Sequence, residues 1–138
     1  SLNKRVKFLN EVIERLGLTG ITAIHGRAED IAKQKEYRGS FDLVVSRAVA
    51  NLSSLSEYCL PFVKTGGLFV PYKSGNVDLE LSEAEKAIKV LGGEYRDTVR
   101  FTLPDTDIDR TLVVIGKVKE TPKKYPRKAG LPSKEPLG

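Results

Sequence analysis

Phe41-Asp42-Leu43-Val44-Val45-Ser46 is the stretch that decides the fold class of this 138-residue chain. Apolar and β-branched residues run through it almost without interruption. A strand that is covered on one face alternates instead between apolar and polar side chains. The pattern is typical of a central strand in a parallel sheet with helices on both faces. The sequence therefore predicts an α/β fold built around segment 41–46.

Upstream of this strand the sequence predicts a helix and a short strand. Apolar residues recur every three or four positions from Leu2 to Leu16, and Gly17 then ends the helix. The β-rich run 21–24 predicts a strand that leads into a turn at His25 and Gly26.

Downstream the alternation of helices and strands continues and closes with a hairpin. The predicted elements are a short helix at 53–60, a strand at 68–73, a helix at 79–91, and two antiparallel strands at 95–103 and 110–118. Alternating elements indicate a mostly parallel sheet. The terminal hairpin adds an antiparallel strand.

The last twenty residues differ from the rest in charge and pattern. Segment 119–138 holds six basic and two acidic residues and four of the seven prolines, with no apolar periodicity. We therefore divide the chain into a domain at 1–118 and a basic, proline-rich tail at 119–138, which we expect to be extended or flexible. A local excess of positive charge attracts polyanions such as RNA.

The amino-acid composition indicates the cellular compartment in which we expect the protein. The single cysteine, Cys59, excludes an intramolecular disulfide and fits a reducing cytoplasm, and its apolar context favours a buried thiol over a reactive one. We see neither a bilayer-spanning stretch nor a signal segment, and expect a cytoplasmic protein without a membrane or metal partner. The chain contains no methionine, so we expect that Ser1 is not the biological N-terminus.

Several motifs together resemble the RsmG family, also called glucose-inhibited division protein B. They lie at 1–9, 25–30, 41–50, 110–115 and 125–132, and read Ser1-Leu2-Asn3-Lys4-Arg5-Val6-Lys7-Phe8-Leu9, His25-Gly26-Arg27-Ala28-Glu29-Asp30, Phe41-Asp42-Leu43-Val44-Val45-Ser46-Arg47-Ala48-Val49-Ala50, Arg110-Thr111-Leu112-Val113-Val114-Ile115 and Tyr125-Pro126-Arg127-Lys128-Ala129-Gly130-Leu131-Pro132. The combination of Ser-Arg-Ala at 46–48 with the terminal Arg-Lys-Ala-Gly block is specific, whereas any one motif alone is weak.

The resemblance implies a Rossmann-like class I methyltransferase sheet that ends in a β-hairpin. It also implies an enzyme that transfers a methyl group from S-adenosylmethionine to guanine N7 in the decoding-region loop of 16S rRNA, with the small ribosomal subunit as partner. In the family, a glycine-rich cofactor loop and an acidic strand end precede the segment that matches Ser1. This chain contains neither, so we expect part of a cofactor site and little activity from these residues alone.

The resemblance places three cofactor-binding residues. Ala28 and Glu29 follow the predicted strand 21–24 and would meet the adenine, although 27–30 also reads as the acidic first turn of a short helix. Arg47 follows the strand 41–46 at the sheet edge where open α/β sheets bind ligands. Its guanidinium could pair with the cofactor's carboxylate or with an RNA phosphate. The alternative is a surface arginine at a strand end.

Candidate RNA-binding residues lie at the sheet edge and in the basic tail. Lys73 ends the strand 68–73 and could contact RNA, or could be a solvated surface lysine. Asn51 could bind a base, but a helix N-cap is favoured. In the tail, basic side chains flank an aromatic ring that could stack on a base; the residues are Lys123, Lys124, Tyr125, Arg127 and Lys128.

No catalytic acid or base is predicted. Guanine N7 carries an in-plane lone pair and needs no deprotonation, so the protein's contribution is alignment of the reactants. The only histidine, His25, is interpreted as a turn residue. Two alternatives stay open: a non-catalytic RNA-binding module with a methyltransferase-like fold, and a methyltransferase acting on a small molecule.

Overall fold

The computed structural model describes residues 3–47, 50–74 and 77–138, and within them it forms one mixed sheet with helices. The first half contains helix α1 (Asn3–Arg15), the single-turn helix α2 (Ala28–Ile31), strand β1 (Phe41–Arg47) and helix α3 (Leu52–Cys59). A 3₁₀ turn at Leu60–Phe62 leads into strand β2 (Val63–Lys73). Helix α4 (Asp78–Val90), strands β3 (Gly93–Thr102) and β4 (Asp109–Lys117), and the single-turn helix α5 (Leu131–Lys134) follow.

The strand order in the sheet is β1-β2-β4-β3. Strands β1 and β2 are parallel, whereas β2–β4 and β3–β4 are antiparallel. The α/β class and the terminal hairpin are thus confirmed. Parallel pairing is limited to β1 and β2 in the described part of the chain. Gly66 and Gly67 lie within β2 where its register with β1 is interrupted, and Gly66 has a φ of 93°.

Helix ends follow the local signals in the sequence. The side chain of Asn51 accepts a hydrogen bond from the backbone N–H of Ser54 at 2.9 Å, which confirms it as the N-cap of α3. Helix α4 ends where Gly92 adopts a φ of 91°, a conformation that favours glycine after a helix.

One face of the sheet carries the hydrophobic core. Helices α3 and α4 pack on this face and bury Phe69 of β2 and Val113 and Ile115 of β4. From the helices, Leu52, Ala84 and Leu91 reach the same cluster. We refer to this side of the sheet as the covered face.

The opposite side of the sheet, here called the open face, exposes apolar side chains. Strand pairing aligns them on one surface, and each is 37–56% exposed; they are Leu43, Val45, Leu68, Tyr72, Val99 and Phe101. The prediction that β1 is a central strand covered on both faces is therefore wrong. In the described residues β1 lies at the sheet edge, with β2 as its only neighbour, and half of its side chains face outward.

The predicted strand at 21–24 does not form. Residues 21–24 make no strand pairing, and Ile21 and Ile24 are 54% and 46% exposed. A strand needs a neighbouring strand to accept its backbone hydrogen bonds, and no described strand lies beside this segment.

Among the residues described, no helix has the length and apolar character needed to cross a membrane.

Candidate functional site

The predicted adenine-binding residues line a cavity of about 510 Å³. Its wall is formed by residues 25–29 and by Tyr58 of α3, so Ala28 and Glu29 come together with His25. Helix α2 begins at Ala28, which confirms the short-helix interpretation of this segment. The backbone N–H groups of Ala28 and Glu29 donate no hydrogen bond to the described residues, since the first N–H bonded within the turn is that of Asp30. Two donors are therefore available beside the cavity.

The side chain of Glu29 is already engaged inside the protein. It is 5% exposed, and its Oε2 accepts a hydrogen bond from the backbone N–H of Gly130 at 2.8 Å. The guanidinium of Arg27 lies 4.0 Å from the same oxygen. The carboxylate of Glu29 thus holds the C-terminal segment, and its backbone is the part that remains available.

Arg47 and Lys73 both lie at the carboxyl edge of the parallel strands. Arg47 is the last residue of β1 and is exposed beside Tyr72, its neighbour on β2. It is not among the residues that line the cavity at 25–29. The loop that follows Arg47 lies partly outside the described residues, at 48–49.

Lys73 is neither a free RNA contact nor a solvated lysine in this structure. Its side chain is 9% exposed, its Nζ donates to the carbonyl of Ala50 at 2.8 Å, and it forms an ion pair with Glu80 of α4. Lys73 therefore joins the loop after β1 to helix α4. Residues 75–76, shortly after Lys73, lie outside the described residues.

The C-terminal segment 119–138 is packed against the domain, so the expectation of an extended or flexible tail is wrong. The guanidinium and backbone N–H of Arg127 donate to both oxygens of Glu57, a fully buried carboxylate of α3, at 2.7–3.2 Å. This hydrogen bonding raises the pKa of Arg127 above its ordinary value. Ser54 of α3 donates to the carbonyl of Pro132 at 2.7 Å.

Arg38 binds the start of the C-terminal segment 119–138. Its guanidinium donates to the carbonyls of Thr121, Pro122 and Tyr125 at 2.8–3.1 Å. Burial lowers the pKa of Arg38 from its ordinary value. A proline-rich segment has few backbone donors of its own, so anchoring through its carbonyls suits its composition.

Packing divides the predicted RNA-binding residues of the tail into two groups. Tyr125 is 8% exposed and belongs to the hydrophobic core, and Arg127 is held by Glu57. Both side chains are thus engaged within the protein. Lys123, Lys124 and Lys128 are exposed, and the Nζ of Lys124 lies 5.3 Å from the centre of the Tyr125 ring.

The thiol of Cys59 is shielded. Burial raises its pKa to about 12, so it stays protonated at neutral pH. It packs against the hydrophobic core, in agreement with the prediction of a buried, unreactive cysteine.

Sequence reasoning missed Glu57 and Arg38, the residues that fix the C-terminal segment. Glu57 lies in an otherwise small and apolar helix, in Leu52–Cys59, and a carboxylate in such a context needs an internal partner. The Arg-Lys-Ala-Gly block at 127–130 supplies that partner. The isolated acidic residue in this helix was thus the sequence signal that could have predicted an internal partner for Glu57.

The chain is similar to known proteins along nearly its whole length. A family model described as GidB, rRNA small subunit methyltransferase G, matches residues 1–111. The protein named ribosomal RNA small subunit methyltransferase G in Lachnoclostridium phytofermentans is 61% identical over 137 residues, and its Lactobacillus johnsonii counterpart is 56% identical. Each alignment covers 99% of this chain and 57% of the relative, so the chain spans little more than half the length of these relatives.

Solved structures share the fold at low sequence identity. A Bacillus halodurans protein provisionally described as a methyltransferase aligns with a TM-score of 0.59 and 14% identity, covering 86% of this chain and 80% of the other. M1.HpyAVI aligns with a TM-score of 0.51 and 16% identity, covering 70% and 55%. These matches confirm the methyltransferase-like α/β fold. Because the family model matches residues 1–111, well over half of the chain, the chain belongs to the rRNA small subunit methyltransferase G family, also named GidB.

Proposed function

We propose that the whole protein methylates guanine N7 in the decoding-region loop of 16S rRNA, using S-adenosylmethionine. The observation that carries this proposal is the 61% identity to a ribosomal RNA small subunit methyltransferase G along 99% of the chain. The alignment extends over 137 residues and so spans the cavity at 25–29 and the carboxyl edge of β1. Because the relatives are longer than this chain, the activity is proposed for the whole protein.

The described residues fit one part of S-adenosylmethionine, its adenine ring. The cavity of about 510 Å³ is lined by Ala28 and Glu29, whose backbone N–H groups can donate to ring nitrogens. The carboxylate of Glu29 acts through Gly130 by holding the C-terminal segment beside the cavity. Tyr58 supplies an aromatic wall. We propose that these residues bind the adenine end.

Arg47 is proposed as the cationic contact of the site. It lies at the carboxyl edge of β1, where ligands of open α/β sheets bind. A guanidinium can form two parallel hydrogen bonds to a carboxylate or a phosphate, and such charge-assisted bonds are stronger than neutral ones. Arg47 therefore holds the cofactor's carboxylate or a phosphate of the substrate.

The reaction requires alignment of the two reactants and does not require a general base. When bound, S-adenosylmethionine supplies a methyl group activated by its positively charged sulfur. Guanine N7 provides its own lone pair, so no residue has to remove a proton. Orientation of the two reactants is the protein's main contribution.

For the RNA side, we propose that Lys123, Lys124 and Lys128 contact phosphates, since they are exposed on a packed segment. Tyr125 and Arg127 position that segment by packing into the core and binding Glu57. Lys73 positions the loop after β1 through the carbonyl of Ala50. A packed basic segment loses less conformational entropy on binding than a mobile one.

The proposal is tested by methyl transfer from labelled S-adenosylmethionine to small subunits that lack the modification, with the full protein. We expect saturable transfer, and Arg47→Ala should lower kcat/KM roughly 10-fold or more, the usual effect of losing a charge-assisted hydrogen bond.

The matched control is Arg100→Ala, which removes an exposed arginine on β3 that pairs with Asp78. It should leave transfer unchanged. RNA binding without any methyl transfer would instead favour a non-catalytic RNA-binding module. Transfer to a small molecule in preference to rRNA would contradict the substrate.

A further inference from the structure

A second cavity, with a strongly basic wall, lies away from the site described above. Its volume is about 940 Å³. Five basic residues and one acidic residue contribute to its lining; they are Lys33, Lys35, Arg38, Lys117 and Lys123, opposed by Glu120. We call it the basic cavity.

The basic cavity lies at the amino edge of the parallel strands. Its wall includes Gly39, just before β1, and Val63, where β2 begins, together with Lys117, where the antiparallel β4 ends. Arg47 is at the other end of β1, six residues further along. At about 3.3 Å per residue, the two edges are about 20 Å apart. The basic cavity is therefore distinct from the proposed methyl-transfer site.

Two of the cations are fixed by hydrogen bonds to backbone carbonyls and form no salt bridge with a carboxylate of the described residues. Lys117 is 2% exposed and donates to the carbonyls of Leu60 and Val63 at 2.6 and 2.9 Å. Arg38 donates to backbone carbonyls as well. Burial, together with repulsion from Arg38, lowers the pKa of Lys117 to about 8, and Glu120 only partly opposes this. In the lining, five basic residues thus face the single carboxylate of Glu120.

The other three cations are free to reach a ligand. Lys33, Lys35 and Lys123 are exposed, and within the described ranges they form no ion pair. Lysines on a cavity rim act as mobile point charges that suit a phosphate group. Among the residues that the structure describes, the lining has no aromatic ring on which a base could stack. The cavity chemistry favours a phosphate over a nucleobase.

We propose that the basic cavity binds a backbone phosphate of the RNA substrate, as a docking contact about 20 Å from the methyl-transfer site. The inference rests on the proposed function, because that function makes RNA the polyanion which this protein meets. Contacts to phosphates fix the position of a nucleic acid without reading its sequence. A contact at the amino edge and one at the carboxyl edge would together orient the RNA along β1.

The test compares two double variants of the full protein that remove the same charge. Lys33→Gln with Lys35→Gln alters the rim of the basic cavity, and Lys86→Gln with Lys89→Gln alters exposed lysines on α4. Binding to a fluorescein-labelled fragment of 16S rRNA is measured from about 50 to 200 mM salt. The slope of log K against log salt should shrink by about 0.7 per lost phosphate contact in the rim variant only. Equal slopes in the two variants would overturn the proposal.

A second arm separates RNA from free phosphate. Inorganic phosphate is titrated into the wild type at constant ionic strength, and the amide NMR signals of residues 33–39 are followed. Phosphate binding together with unchanged RNA slopes would mean that the cavity serves a free anion, which overturns the RNA contact.

Methyl transfer separates this inference from the proposed function. The rim variant should raise the KM for RNA about as much as it weakens binding and leave kcat near the wild-type value, because Lys33 and Lys35 lie far from the reacting atoms. A wild type that neither binds rRNA nor methylates it would defeat the proposed function itself. An active wild type whose KM is unchanged in the rim variant would overturn only the docking contact.

Discussion

The two faces of the sheet differ in how their apolar residues are used. On the covered face, Phe69, Val113 and Ile115 are fully buried under α3 and α4. On the open face, Leu43 and Phe101 belong to strands of similar composition but are 56% and 42% exposed. Burial of apolar area is the main stabilising contribution in folding, so most of the stability of the described chain should come from the covered face. Exposed apolar surface of this extent marks a surface where further protein packs in α/β folds.

The largest expected effect on the free energy of unfolding is the difference between replacing a phenylalanine on the covered face and replacing one on the open face. Phe69→Ala should lower the free energy of unfolding by about 3–5 kcal/mol, because the ring leaves a cavity beside Ile115. Phe101→Ala should cost about 1 kcal/mol or less, since the ring is already 42% exposed. Urea denaturation followed by circular dichroism measures both. Similar losses would mean that the two faces contribute equally.

The next effect concerns the C-terminal segment, which closes over α3. Arg127→Ala removes the guanidinium from the fully buried carboxylate of Glu57 and leaves it only the backbone N–H of residue 127, so we expect a loss of about 3 kcal/mol. Lys128→Ala, at the neighbouring exposed position, should change stability by about 0.5 kcal/mol or less. The same urea titration measures the stability of both variants. If both substitutions changed the free energy of unfolding only slightly, the C-terminal segment would be loosely attached.

A smaller effect is expected at the start of α3, the helix that covers the sheet. Asn51→Ala removes the acceptor for the N–H of Ser54 and should lower stability by about 1 kcal/mol. Asn51→Asp keeps an acceptor and should retain most of that stability. The midpoint of thermal unfolding ranks the three proteins, and an alanine variant as stable as the wild type would count against the cap.

The last expected effect is a pH dependence from Lys117, which donates to the carbonyls of Leu60 and Val63. Its folded pKa of about 8 lies below the ordinary 10.5. Between these values the unfolded chain binds more protons than the folded one, so stability should rise with pH from about 8 upward. Lys117→Met should abolish the rise, as measured by urea denaturation between pH 7 and 9. A wild type that loses stability over this range would contradict the direction.

Local sequence signals predicted the regular elements well. Helix α4 and the β3–β4 hairpin lie within two residues of their predicted bounds, because apolar periodicity and the glycines at 92–93 act locally. Segment 21–24 has the composition of a strand but no neighbouring strand, and composition cannot supply one. The burial of β1 was overestimated for a related reason: an apolar strand indicates cover, but the covering layer is a property of the whole fold.

The site was predicted in part. Ala28, Glu29 and Arg47 came from the family resemblance, and the structure places the first two at one cavity and Arg47 at the carboxyl edge of β1. The interior roles of Tyr125 and Arg127 were not predicted, because their partners are distant in the sequence. Glu57, which binds Arg127, lies 70 positions earlier, and Arg38, which donates to the carbonyl of Tyr125, lies 87 positions earlier. Basic residues among prolines resemble a mobile tail until such a distant contact is known.

The measurement that tests the central claim most directly is the position of the methyl group. Small subunits are incubated with the full protein and S-adenosylmethionine, and their 16S rRNA is reduced with borohydride and cleaved with aniline, which breaks the chain at N7-methylated guanine. We predict a single new cleavage in the decoding-region loop, greatly weakened with Arg47→Ala and retained with Arg100→Ala. Labelled rRNA without such a cleavage would place the methyl on another atom and contradict the account.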